Sequence, residues 1–146
     1  MNRYYYKLST LFSVITLVVC AFLVFAAFMT IKEGGLMIII GITLIPVLII
    51  AFGYMPYYLE EHAEYYKLRL MFFTKIFRKD EYEVKEITSA ELIGSIRTFG
   101  SGGLFGLTGH FGNRRLGNYQ AYLSSYDQPM LLFTKGKKKV VINAPQ

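Results

Sequence analysis

The sequence predicts a membrane-anchored α+β protein: an N-terminal two-helix transmembrane hairpin followed by a small, mostly antiparallel β domain. Three observations predict it: two long uncharged runs near the N-terminus, a sharp rise in charge after them, and period-two alternation downstream. The chain has 146 residues, 53% hydrophobic and 16% aromatic, with 16 basic and 10 acidic side chains for a formal +6. That length argues for one folded domain plus its anchor. A single Cys excludes a disulfide framework and a Cys-rich zinc site. The high apolar content and modest charge exclude disorder.

Residues 1–59 carry four charged side chains, Arg3, Lys7, Lys32 and Glu33, whereas residues 60–146 carry the other 22. The chain is therefore divided at Leu59 into a helical part, 1–59, and a β part, 60–146. Residues 8–31 and 36–59 are uncharged runs of 24 residues each. A helix of that length rises about 36 Å, enough for a hydrocarbon core about 30 Å thick. Neither run has the A-x-A-like exit of a signal peptide, and Cys20 reads as an ordinary helix residue. Gly34 and Gly35 suit the end of the first helix, and Pro46 is tolerated in the second as a kink. No GxxxG motif and no charge interrupts either run.

Basic residues set the expected orientation. Arg3 and Lys7 precede the first helix, and Lys67, Arg69, Lys75, Arg78 and Lys79 follow the second. Both termini are expected in the cytoplasm, in a multi-pass protein of the cell inner membrane. Tyr4, Tyr5 and Tyr6, with Tyr54, Tyr57 and Tyr58, form the expected aromatic belt at one interface.

Beyond Glu60 the pattern is strand-like. Tyr66, Leu68, Leu70 and Phe72 alternate with Lys67, Arg69, Met71 and Phe73. Tyr82, Val84 and Ile87 mark another strand, and residues 119–123 a further one. Residues 131–134 and 140–142 flank Lys135-Gly136-Lys137, a short hairpin turn. Between these lies a segment holding, with Gly117, seven of the 13 glycines. Glycine-rich loops can cradle phosphate, but the established spacings fail. No glycine is followed by Lys-Ser/Thr, Phe105 stands where a dinucleotide fingerprint needs Gly, and Phe99 where a nucleophile elbow does. Phe99, Leu104, Phe105 and Phe111 predict a loop of tight turns over packed rings, structural rather than chemical.

The run Ile96-Arg97-Thr98-Phe99-Gly100-Ser101-Gly102-Gly103-Leu104-Phe105-Gly106, then Asn113-Arg114-Arg115-Leu116-Gly117-Asn118-Tyr119 and a Lys-rich hairpin ending in Val-Val-Ile, resembles the bacterial pleckstrin-homology-like (bacterial PH) domains. These are often joined to two membrane helices. The resemblance implies a bent antiparallel sheet approaching a barrel and brings no catalytic residues. Such domains usually end in a closing helix. Here the chain stops soon after the last strand, so the closing helix is expected to be missing. The barrel end is then open, or covered by the glycine-rich loop, a membrane surface or another subunit, and an uncovered apolar end is a candidate interaction surface.

Lys135, Lys137, Lys138 and Lys139 cluster at one hairpin tip, and Arg114 and Arg115 adjoin the motif. Against an anionic leaflet the lysines would supply about 3–4 kcal/mol; otherwise they form a solvated turn. The six are the candidate interaction or lipid surface. Lys67 and Arg69 suit the solvated face of a strand as well as they suit a lipid site. His62 and His110 are too far apart to suggest a metal site, and no nucleic-acid signature is visible. The expectation is a non-enzymatic integral membrane protein without cofactor or metal. It would present a PH-like domain for protein–protein interaction, self-association through sheet edges, or lipid contact. The alternative is an accessory subunit of a membrane transport or export complex.

Overall fold

A computed structural model describes residues 2–33 and 36–145. Among these, a first strand, β1 (Asn2–Tyr5), precedes two helices, α1 (Thr10–Glu33) and α2 (Leu36–Gly53). Nine strands follow: β2 (Pro56–Glu61), β3 (Tyr65–Leu70), β4 (Thr74–Arg78), β5 (Glu83–Ile87), β6 (Ile96–Gly103), β7 (Gly106–Asn113), β8 (Gly117–Leu123), β9 (Met130–Lys135) and β10 (Lys138–Asn143). A 3₁₀ turn, Ser89–Leu92, joins β5 to β6. Its start is legible as Thr88-Ser89-Ala90-Glu91, where the Glu91 carboxylate accepts the Thr88 N–H at 3.1 Å. Gly34 and Gly35, read as helix-terminating, lie outside the described residues.

In place of one bent sheet there are two. The first is four-stranded in the order β1-β2-β3-β4, the second six-stranded in the order β5-β9-β10-β8-β7-β6. Neighbours are antiparallel except β8 and β10, which run parallel with Gln120 opposite Val140. The period-two rule then sorts side chains between the faces of the larger sheet. Met130, Leu132, Tyr119, Ala121 and Val141 join one core. Leu131, Phe133, Tyr122, Val140 and Ile142 join the other, against Leu59, Leu68, Leu70 and Phe77 of the smaller sheet. Both faces of β9 and β10 are covered, which is why these strands read as apolar runs without clean alternation.

The first core is capped by the beginning of α1. Ser9 accepts the Phe12 N–H on its hydroxyl at 3.3 Å, an N-cap contact, while its own N–H donates to Ser124 O at 2.9 Å. Phe12 is thereby pushed into the sheet and is 2% exposed, with Leu8 and Ile15 packed beside it. One turn on, the Thr16 hydroxyl accepts the Phe105 N–H at 2.9 Å. Phe52, near the end of α2, meets the Phe105 ring edge-on at 5.3 Å. The turn between β6 and β7 is thus gripped by both helices.

The expected transmembrane hairpin is overturned. Among the described residues, no helix is long and apolar enough to cross a membrane. The uncharged runs are longer than the helix available for a crossing, because both ends serve the sheets. α2 has 18 residues, a rise of about 27 Å. Residues 54–59 of its run pass instead into a turn and β2, where Leu59 is fully buried. In α1, Phe12, Ile15 and Thr16 are committed to the β domain. The fold class is therefore corrected to a mainly β protein with two helices inserted between its first two strands. The integral-membrane role, the multi-pass inner-membrane localisation with cytoplasmic termini, and the accessory role in a membrane transport complex all rested on that hairpin and are corrected with it. The tyrosine belt has another origin. Tyr5 packs on Tyr57 and Tyr58 across the β1–β2 pair, and the Tyr6 hydroxyl donates to Asn143 O at 2.6 Å.

Candidate functional site

The glycine-rich segment is a β-hairpin, not a loop. Gly100 and Gly109 stand opposite each other, with φ of +116° and +130°. A Cβ on Gly100 would come 2.2 Å from Thr108 O, and one on Gly109 2.2 Å from Phe99 O. Only glycine lets the two backbones come this close. Gly103 and Gly106 close the turn around Phe105, whose φ of 58° is strained for a bulky residue. Of the rings expected beneath the segment, Phe111 is buried but Phe99 is 77% exposed on the edge strand β6. Gly117 turns the chain from β7 into β8 with φ +69°. Gly102 has a different use: a Cβ there would lie 2.8 Å from Arg97 Nη1, so its bare backbone lets the Arg97 side chain lie along the strand.

The parallel register of β8 and β10 brings the two basic turns to the same end of the sheet. Lys139 Nζ donates to Leu116 O at 2.6 Å, directly linking them. Lys135 is held by Glu81 at 2.6 Å, and Arg115 donates to Ala90 O at 3.2 Å. Arg114, Lys137 and Lys138 are exposed and enter no ion pair among the described residues. The predicted surface thus divides into three structural cations and three solvent-facing ones.

A cavity of about 610 Å³ opens where the smaller sheet ends and the face of β6, β7 and β8 continues uncovered. Its apolar wall comes from the helices: Ile15, Val47, Ile50 and Ala51. Its polar wall comes from the sheets: Lys75 on the edge strand β4, Arg97 on β6, His110 on β7 and Gln120 on β8. Lys75 Nζ sits 4.8 Å from the Tyr122 ring centre. Burial, reinforced by repulsion from Lys138, holds the Lys75 ammonium below the usual lysine range. Burial pushes the Tyr122 hydroxyl up to about 12, so it stays protonated. Gln120 Nε2 lies 3.0 Å from His110 Nε2, while Gln120 Oε1 is buried without a partner. Sequence reasoning picked Arg97 for its motif but passed over Lys75 and Gln120. Each is one polar residue on an alternating strand, and only the stacking of the two sheets places them in one cavity.

A second polar cluster is structural. Register sets Arg3 opposite Glu60 and Glu60 opposite Lys67. Arg3 Nε reaches Glu60 Oε1 at 2.6 Å and Lys67 Nζ reaches Oε2 at 3.0 Å. The Glu60 side chain is 2% exposed. The hydrogen bond from Lys67, then that from Arg3, holds its carboxyl below the usual carboxylate range against the cost of desolvation. His62 stacks on Tyr65 beside this cluster. Among the described residues no group of three metal-capable side chains converges. Ser101 Oγ donates to Leu104 O at 2.6 Å, a turn contact.

No protein-family model, no curated protein and no solved structure matches the chain.

Proposed function

We propose that this protein is a non-enzymatic interaction module that self-associates through its helical hairpin. One observation carries the reading: past Thr16, α1 exposes large apolar side chains along one broad side. Leu17 is 70% exposed, Phe22 67% and Val24 71%, with Val18, Phe25 and Phe28 alongside, and α2 exposes Ile45 and Ile49. A helix that is apolar all round belongs in an interior, and a contiguous exposed patch of this size marks an interaction surface. A second copy of the chain is the fitting cover. Two hairpins would present the same apolar surface to each other, as a two-fold interface requires. No charged residue interrupts either helix before Lys32, so nothing on that surface opposes the approach. The likeness of the Arg97–Tyr119 segment to bacterial PH-like domains, which bring no catalytic residues, supports a binding rather than a catalytic role.

The test is the mass of the full chain in a neutral detergent by light scattering, together with chemical crosslinking. A dimer or larger assembly is expected, with Leu17→Glu combined with Phe22→Glu returning it to monomer. A strictly monomeric wild-type chain, whether free or adsorbed to lipid vesicles, overturns the reading.

A further inference from the structure

The cavity between the hairpin base and the sheets has a different character from the hairpin surface, and nothing in self-association uses it. Its volume, about 610 Å³, lies in the range of sites that enclose one small ligand. The helices line it with aliphatic side chains and the sheets with Lys75 and Arg97. Neither Lys75 nor Arg97 enters an ion pair among the described residues. Two cations outside any ion pair among the described residues, at the edge of an apolar slot, form a field that attracts negative charge.

We propose that this cavity binds a single anionic amphiphile, one alkyl or acyl chain bearing a carboxylate or phosphate head. The chain lies against Ile15, Val47, Ile50 and Ala51, displacing water from their side chains. The head lies between Lys75 and Arg97. Arg97 offers a planar fork of donors suited to either head group, and Lys75 a compact charge. Gly102 contributes by omission, since any side chain there would push the Arg97 guanidinium from its place. The apolar body excludes inorganic anions as the preferred occupant, and the cations exclude alkylammonium compounds.

The experiment titrates the full chain, held in a neutral detergent, with decyl phosphate, decanol and inorganic phosphate. Decyl phosphate should bind with one-to-one stoichiometry, about tenfold or more tighter than decanol, because charged hydrogen bonds each account for a factor of that order, and tighter than inorganic phosphate, because only decyl phosphate buries an alkyl chain. Lys75→Gln with Arg97→Gln should erase the advantage over decanol. Ala51→Phe should weaken decyl phosphate and decanol together by filling the slot. Circular dichroism on each variant reports that the fold is intact. Decyl phosphate binding unchanged in the double charge variant, which alters only cavity-wall side chains, would mean adsorption to the exposed helices and would overturn the proposal. So would inorganic phosphate binding as tightly as decyl phosphate, which would reduce the site to a simple anion site. Neither outcome bears on the oligomeric state, so this proposal and the self-association reading fail separately.

Discussion

Two stretches of α1 are both uncharged, and only the first sends side chains into the sheet core. In the first two turns, Phe12 is buried, Ile15 packs on the same core and Thr16 is hydrogen-bonded to the β6–β7 turn. Immediately afterwards Leu17, Val18 and Phe22 stand open. The comparison teaches that an uncharged run records only that its residues avoid water. What covers them is decided by tertiary geometry, here by Ser9 being tied to Ser124 so that the helix leaves the sheet after two turns.

The comparison is broken most strongly at Phe12. Phe12→Ala removes a fully packed ring from the larger core and should cost about 3–5 kcal/mol, read as a lowered denaturant midpoint. Next comes the hairpin that the helices grip. Gly109→Ala places a Cβ into Phe99 O at a φ of +130° and should cost about 2–3 kcal/mol, with loss of amide-exchange protection in β6 and β7. Thr16→Val keeps the shape of the helix but leaves the Phe105 N–H without its acceptor. A loss of about 1–2 kcal/mol is expected, measured by thermal unfolding.

How much of this was legible follows from which signals are local. The alternation of Tyr66, Leu68 and Leu70 falls in β3, and Lys135-Gly136-Lys137 falls at the β9–β10 turn, because strand period and turn chemistry are written in adjacent residues. The β6–β7 hairpin read as a loop because glycine is depleted in strands. Its glycines are there because two backbones meet, a fact held by residues nine apart. β1 was illegible because Arg3, Tyr4 and Tyr5 resemble the flank of a membrane helix. Only pairing with β2, more than 50 residues later, makes them a strand. The candidate cavity was hidden for the same reason: Lys75 and Arg97 lie in different sheets, and no spacing rule connects them. The basic residues at 114–115 and 137–139 were visible as charge. That Lys139 and Arg115 are used internally was not.

The Arg3–Glu60–Lys67 cluster sharpens the comparison from the polar side, since it holds β1, the strand that leads into the buried start of α1. The Glu60 carboxyl is held below its ordinary value of 4.5, so its contribution is fully present above that pH and is lost as pH falls through the lowered value. Glu60→Gln should therefore unfold at a lower temperature than wild type at pH 7. The gap between the two should close on acidification below about 4.5. A gap independent of pH would show that the carboxylate charge is not what secures β1.

The smallest effect on the fold, and the most direct counterpart to Phe12, belongs to Phe22. It lies in the same helix, carries the same ring and is 67% exposed. Phe22→Ser removes almost no intramolecular packing, so the unfolding free energy of the isolated chain should change by no more than about 0.5 kcal/mol. If the hairpin is covered by a second copy, however, stability and assembly are linked. The transition temperature of wild type should then rise with protein concentration, and that of Phe22→Ser should rise less. One substitution thus separates the two halves of α1 by readout as well as by size, since Phe12→Ala changes the unfolding free energy at every concentration. A transition temperature for wild type that is flat across a hundredfold range of concentration would assign the exposed half of α1 to some cover other than a second copy.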